Sequence, residues 1–331
     1  MSSDPVHYKP DDSMKSPRFV GVRSFLKLPM VTDLEHVDVA VLGVPTDWAV
    51  GYRPGARFGP EGVRNASILL RTYNPALKVD IAENLSMVDY GDSPVWPGYH
   101  LETLEKIQKY LEPVYQADVV PLIIGGDHSL TMAELRAIHA VKGKVAVIHI
   151  DAHGDVLDDY YGGIKHFHGT VFRRAVEEGL VIPEKSVQAG MRGSIHPCDV
   201  GQAEELGFNV IPWDEMSEMT PQEFGERVRS IVGDTPVALS FDIDFIDPAF
   251  APGTGTPEPG GPTTFEAYKY LRAIGGLNFC SMDLVEVAPN IDPTGVTAIT
   301  AANTCFELLS LLALSKREGL LGKKTTLGEE S

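Results

Sequence analysis

Cysteine is nearly missing. The chain has three in 331 residues, Cys198, Cys280 and Cys305, spaced too widely for a disulfide framework or a CxxC metal pair. A reducing, cytoplasmic location is the expectation that follows. Basic residues are also scarce: 28 Lys and Arg stand against 46 Asp and Glu, a net charge of −18, and they form no cluster. Such a surface repels phosphates and anionic headgroups, so neither a nucleic acid nor a membrane is an expected partner. Long apolar runs are lacking too. VVPLII, from Val119, and LLSLLAL, from Leu308, fall well short of the ~18 residues a membrane span requires. The N-terminus is polar, with Pro5, Asp11 and Asp12, and does not read as a secretory leader.

What the chain does have is alternation. Eight short apolar, β-branched runs read as strands: VDVAVLGVP from Val37, SMVDYGD from Ser86, VVPLIIGG from Val119, KVAVIHID from Lys144, KSVQAGMR from Lys185, FNVIPWDE from Phe208, TPVALSFDID from Thr235 and NFCSMDLVEV from Asn278. Their near-continuous apolar character suits strands buried on both faces. Between several of them lie helical spacings, such as Leu101, Leu104, Ile107 and Leu111, and Leu130, Leu135 and Ile138. Thr220 with Glu223 and Thr263 with Glu266 are capping-box patterns, and Gly179 is a C-terminal stop. The expected architecture is a single α/β domain over 18–315 with a parallel sheet between helical layers. Residues 1–17 are expected to be loose or partner-facing, and 316–331 to form a tail.

In an open parallel sheet, ligands bind beyond the carboxyl ends of the strands, so the residues just after each apolar run matter most. Gly125-Gly126-Asp127-His128-Ser129 follows the third run and Asp151-Ala152-His153-Gly154-Asp155 the fourth. Asp242-Ile243-Asp244 ends the seventh, and Glu286 lies near the end of the eighth. Residues i and i+2 of an extended segment point the same way, so Asp151, His153 and Asp155 project together, as do Asp242 and Asp244. One aspartate at a strand end commonly starts a turn. This many carboxylates at one sheet edge repel one another and need cations, and these segments contain no Lys or Arg. His128, Asp151, His153, Asp155, Asp242 and Asp244 are more ligands than one small divalent ion uses, so a two-metal cluster is the economical reading. His149, inside its strand, reads as a hydrogen-bonded histidine behind the cluster.

GGDHS, DAHGD, SFDIDFIDPAFAPGTGTPEPGG and VEVAP, in that order, resemble the ureohydrolase family, which includes arginase, agmatinase and guanidinobutyrase. YRPGARFGPEGVR, from Tyr52, is similar to the agmatinase-like branch, and the resemblance runs from about Pro17 to about Leu314. It implies a three-layer α/β/α fold of the arginase type and a dinuclear manganese centre held by the six residues above. It also implies that His168, in HFHGT, is the catalytic histidine that shuttles protons and that Glu286 grips the substrate guanidinium. Asp155 would orient the attacking hydroxide. The products would be urea and an amine, and the assembly a trimer or hexamer. A non-catalytic subunit of such an assembly would show a broken ligand set, and here the set is intact.

The substrate is less legible. The Ser-x-Asn that arginase carries before its catalytic His-Gly is absent from DDYYGGIKHFHGT, which disfavours arginine and leaves agmatine- or guanidinobutyrate-like compounds. The family's DAHTD is DAHGD here, so Gly154 either opens space or eases a turn. Trp48 and Tyr160 are aromatic candidates for stacking on a guanidinium. Arg192 or Lys165 would serve a substrate carboxylate, and Asp158 or Asp159 a distal amine. A guanidine or N-substituted guanidine or biguanide would need none of them. Hard carboxylate ligands suit manganese, and nickel is the alternative by intrinsic affinity order.

Overall fold

The computed structural model describes residues 6–321. All eight expected runs form strands of one sheet: β1 (Val39–Val44), β2 (Met87–Asp92), β3 (Val120–Gly125), β4 (Ala146–Ile150), β5 (Val187–Ala189), β6 (Asn209–Ile211), β7 (Val237–Asp242) and β8 (Phe279–Val285). Their spatial order is β2-β1-β3-β8-β7-β4-β5-β6, and every neighbouring pair is parallel. The principal helices are α1 (Gly59–Ser67), α2 (His100–Gln116), α3 (Leu130–Lys142), α4 (Val171–Glu177), α5 (Pro221–Val232), α6 (Thr264–Ala273) and α7 (Val296–Arg317).

Successive residues of a strand point to opposite faces, and here they enter different cores. Val39 and Val41 pack with Val63, Leu308 and Phe224 on one side. Leu42, Val44 and Ile123 pack with Leu104, Ile107, Leu135 and Phe172 on the other. Both capping boxes form at Thr220 and Thr263, and Gly179 has φ +68 just beyond α4. Leu101, expected on the buried stripe of α2, is 53% exposed, and the stripe runs instead through Leu104, Ile107, Leu111 and Val114.

Two expectations change. Residues 1–17 are not wholly loose: Met87 N donates to Tyr8 O (2.9 Å), Tyr8 N to Ser86 Oγ (3.0 Å), and His7 Nε2 lies 2.6 Å from Ala82 O. These contacts lay part of the segment along the edge strand β2. Residues 1–5 and 322–331 lie outside the described residues. The run LLSLLAL belongs to α7, whose 22 residues are long and apolar enough to cross a membrane, with a mean hydropathy of 1.5. Its window is 83% buried inside the protein, which is what a helix packed on nearly all sides requires.

The segment entering α7 is pinned by Asp292, which is 4% exposed and accepts hydrogen bonds from Thr294 N (2.9 Å), Thr294 Oγ1 (2.5 Å) and Thr297 N (2.7 Å). Burial alone would raise the carboxyl, but those donors depress it from 3.8 to about 2. Removing such a helix-entry acceptor costs about 1 kcal/mol. Because the folded-state value is depressed, the contribution is present above 3.8 and lost as pH falls through about 2. Denaturant melts of Asp292→Ala at pH 7 and pH 2.5 are expected to show a smaller deficit at the lower pH.

The crossover from β3 runs through α3, and that from β4 through α4, on the Leu104–Phe172 side of the sheet. The crossover from β7 runs through α6, and the chain leaves β8, the last strand, through the final helix α7, both on the opposite side. Connections therefore diverge between β3 and β8 and between β7 and β4. Divergence of this kind opens a crevice at the carboxyl edge of a parallel sheet, and the four central strands all end there.

Candidate metal centre

The β3 extension turns sharply before His128. Gly126 has φ +59, and a β-carbon there would stand 2.4 Å from Val44 O, so the loop requires glycine. His128 is fully buried, with Nε2 2.8 Å from Ser240 Oγ. Ser240 Oγ donates its own proton to Asp283 Oδ1 (2.7 Å), so it accepts from His128 Nε2–H. In the neutral ring, Nδ1 then carries the lone pair. It has no hydrogen-bond partner and faces Asp155 Oδ2 (3.0 Å), Asp151 Oδ2 (3.2 Å) and Asp242 Oδ2 (3.4 Å). A lone pair among three buried carboxylates is repulsive unless positive charge sits between them. The same demand appears in the ring's basicity: burial lowers it, but the surrounding carboxylates of Asp151, Asp155 and Asp242 raise it well above the ordinary histidine value.

A second group adjoins the first. His153 Nδ1 lies 3.0 Å from Asp244 Oδ2 and 3.4 Å from Asp151 Oδ1. Asp151 turns one oxygen toward each group. Among the described residues, His128, His149, Asp151 and Asp155 form one cluster able to hold a metal ion, and Asp151, His153 and Asp244 another. Burial and the carboxylates Asp244 and Asp151 push Asp242 well above the usual carboxylate range. Burial and then Asp151 push Asp244 up to about 6. Asp151 goes the other way, because His149, His128 and His153 together outweigh its burial and hold it well below that range. Oxygen-rich groups joined by a shared carboxylate fit a binuclear centre of divalent ions.

His149 does not belong to the ligand set, for a reason of protons. Gln188 Nε2 donates to Gly154 O (2.7 Å) and reaches His149 Nδ1 at 3.1 Å. Nδ1 is therefore an acceptor, and Nε2 carries the proton and donates to Asp151 Oδ2 at 2.7 Å.

Beside the cluster lie His168 and Glu286. His168 Nε2 accepts from Gly51 N (2.9 Å), which leaves the ring proton on Nδ1, 3.2 Å from Glu286 Oε1. Glu286 Oε1 also accepts from His128 N (2.9 Å). Glu286 adopts φ +61 and Asp155 φ +50, a left-handed backbone that costs a non-glycine residue on the order of 1–3 kcal/mol. Burial would lower the His168 basicity, but Glu286, followed by Asp155 and Asp127, raises it above the ordinary value.

Not every candidate converges on this spot. Tyr160 does: its ring lies 4.4 Å from Phe167 and 6.1 Å from His168. Trp48 is half-buried beneath the protein's own Arg57 guanidinium, at 5.4 Å, and Arg57 is bound to Asp47. Lys165 pairs with Asp158 (2.6 Å) and approaches Asp159 (3.7 Å), and Arg174 also holds Asp158 (2.9 Å). Arg192 donates to the carbonyls of Asp244 (2.8 Å) and Glu258 (2.7 Å). The charges expected to meet a substrate tail thus hold one another or the backbone. At Gly154 an added β-carbon would meet only Val156 Cγ2 (3.6 Å) and Gln188 Oε1 (3.8 Å), at ordinary contact distance. The opening points at Gln188, and neither a tight turn nor close packing demands glycine there.

Three residues behind the cluster escaped the sequence reading: Ser240, Asp283 and Gln188. Each is a polar residue inside a largely apolar, fully buried strand, and that mismatch was the available signal.

Comparison with known proteins agrees with this architecture. The profile of the Arginase family matches residues 37–310. The chain is 42% identical to the guanidinopropionase of Pseudomonas aeruginosa over 316 residues, covering 95% of this chain and 98% of that protein. It is 44% identical to the mitochondrial agmatinase of Gallus gallus, covering 89% and 87%. The structure of proclavaminate amidino hydrolase from Streptomyces clavuligerus superposes with a TM-score of 0.86 at 39% identity, covering 91% of this chain and 100% of that one. The three-layer fold and the paired acidic clusters define a binuclear-metal hydrolase. This chain belongs to the Arginase family.

Proposed function

We propose that this chain hydrolyses the guanidinium C–N bond of an agmatine- or guanidinobutyrate-like compound, releasing urea and an amine. The observation that carries this reading is the juxtaposition of two metal-binding groups sharing Asp151 with the Glu286–His168 pair. His128, Asp151, Asp155 and Asp242 would hold one ion, and Asp151, His153, Asp244 and Asp242 the other. Manganese is the proposed metal and nickel the alternative. When bound, the two ions supply an acidified water near neutral pH and positive charge at the developing centre.

The chain's own groups do the rest. Glu286 offers an anionic, bidentate partner to a planar guanidinium. Its left-handed backbone and its bond from His128 N aim it at the cluster. Asp155 would accept a hydrogen bond from the attacking water and orient it. His168 carries its proton on Nδ1 beside Glu286; it gives that proton to the leaving amine and takes one back from the attacking water, so the ring ends neutral. Tyr160 and Phe167 wall the His168 side, and Gly51 N holds the ring's far nitrogen.

A second reading, hydrolysis of guanidine or an N-substituted guanidine or biguanide, is favoured by one observation. Lys165, Asp158, Asp159 and Arg192 are all engaged elsewhere, so a substrate with an uncharged tail loses nothing. Trp48, stacked on Arg57, is then an internal packing partner and not a partner of the substrate.

The test is urea release by manganese- or nickel-loaded protein from agmatine, guanidinobutyrate, guanidinopropionate, guanidine, arginine and a dimethylated biguanide. Turnover of agmatine or guanidinobutyrate, with arginine poorest, is expected. No urea from any of the six, with metal bound, would overturn the proposal. We also propose a cytoplasmic location, which suits three unpaired thiols. Self-association as a trimer or hexamer, or pairing with a related subunit, suits the exposed apolar side chains Met14, Phe19 and Val22.

A further inference from the structure

Gln188 is fully buried on β5 and is not itself one of the ligand candidates, yet it is wired to the residue the two clusters share. Its amide orientation follows from chemistry. Gly154 O, at 2.7 Å, accepts only from a donor, so the group facing it is Nε2. The same Nε2 reaches His149 Nδ1 at 3.1 Å, which assigns the His149 proton to Nε2, 2.7 Å from Asp151 Oδ2. The imidazole ring cannot easily turn away from this task. It is fully buried, with Phe172 at 4.2 Å and His128 at 5.0 Å between centroids.

We infer that Gln188 is a positioning residue for the metal centre: by fixing the His149 tautomer it fixes the plane of the Asp151 carboxylate between the two clusters. The inference rests on the binuclear reading above. The arrangement has one loose side. Gln188 Oε1 is buried without a partner among the described residues and faces the small opening beside Gly154. Among the described residues, only Gly154 O and His149 hold the amide, so its donor group sets the whole chain of bonds. Partners behind a metal ligand typically contribute 10–100-fold in metal affinity.

Two substitutions separate positioning from simple packing. Gln188→Leu keeps the volume but removes the donor. Gln188→Glu keeps the shape but presents only acceptors, so the His149 proton moves to Nδ1 and a lone pair faces Asp151. The measurement is Mn2+ titration of metal-free protein by calorimetry, with thermal melts of the metal-free and loaded forms. Gln188→Leu is expected to raise the Mn2+ dissociation constant about 10–100-fold, with the metal-free melting temperature little changed and kcat largely restored at saturating metal. Where Gln188→Leu does not fold, Gln188→Glu is expected to show the same loss of affinity. Equal losses of metal-free and loaded stability with an unchanged dissociation constant would reduce Gln188 to packing and overturn the inference. Wild-type protein that binds no metal would instead overturn the binuclear reading, so the two failures are distinguishable.

Discussion

Asp151→Asn is expected to lose both metal ions and about 10⁴-fold or more in urea release, some 5 kcal/mol of transition-state stabilisation. The size follows from the position. Asp151 sends Oδ2 toward His128 and Oδ1 toward His153, so it serves both clusters at once. It also accepts from His149 Nε2 at 2.7 Å and from His153 N at 2.6 Å. An asparagine has one acceptor oxygen where the aspartate has two, so its amide nitrogen must confront a donor on one side. The fold itself should survive, because the bonds lost to His149 and His153 are offset in part by relief of the repulsion that the Asp151 charge exerts on Asp242 and Asp244. Elemental analysis alongside circular dichroism checks this. A folded variant retaining two metals per chain would remove Asp151 from the shared position.

His168→Asn is expected to keep both metals and lose about 10²–10⁴-fold in kcat, the range of a positioned proton carrier. No ligand depends on this ring. His168 contacts Glu286 and Gly51, and its nearest tie to the cluster runs through Glu286 to the backbone of His128. Asparagine can still offer a donor to Glu286, so KM should move less than kcat. Unchanged turnover with full metal content would take His168 out of the reaction. Lost metal would mean that the ring supports the ligands instead.

Much of this was legible in the chain because it depended on short-range pattern. The strands of a sheet buried on both faces announce themselves as β-branched apolar runs, and all eight did. The capping boxes at Thr220 and Thr263 were visible because three residues suffice to make one. α7 was read only as a short apolar run, because a helix buried on nearly every side has no polar face to set a period. α1, opening on Gly59-Pro60, lacked a side-chain cap to mark its start.

The site divides the same way. The DxHxD and DxD motifs were readable as ligand sets, but strand alternation is not what brings them together: residues 151–155 lie beyond β4 in a loop where Asp155 has φ +50, and Asp244 sits in a 3-10 turn, Ile243–Phe245, just after β7. Whether Lys165 was free for a substrate was not readable, since that depends on a loop folding Asp158 against it. Gln188 stayed hidden because its partners lie 34 and 39 positions away, and a lone glutamine in a strand signals that a buried partner exists without saying which. Trp48 is a different case. Its partner Arg57 is near in sequence, and an aromatic with an arginine close by deserved to be read first as an internal pair.

The central claim is that two divalent ions, held through Asp151, make this chain a urea-releasing hydrolase. The most direct measurement titrates metal-free protein with Mn2+ or Ni2+ while following bound metal and urea release from the preferred guanidino compound. The account predicts no urea without metal and activity that saturates as occupancy approaches two ions per chain. Undiminished urea release from metal-free protein, or full activity at one ion with no second site filled, would contradict it.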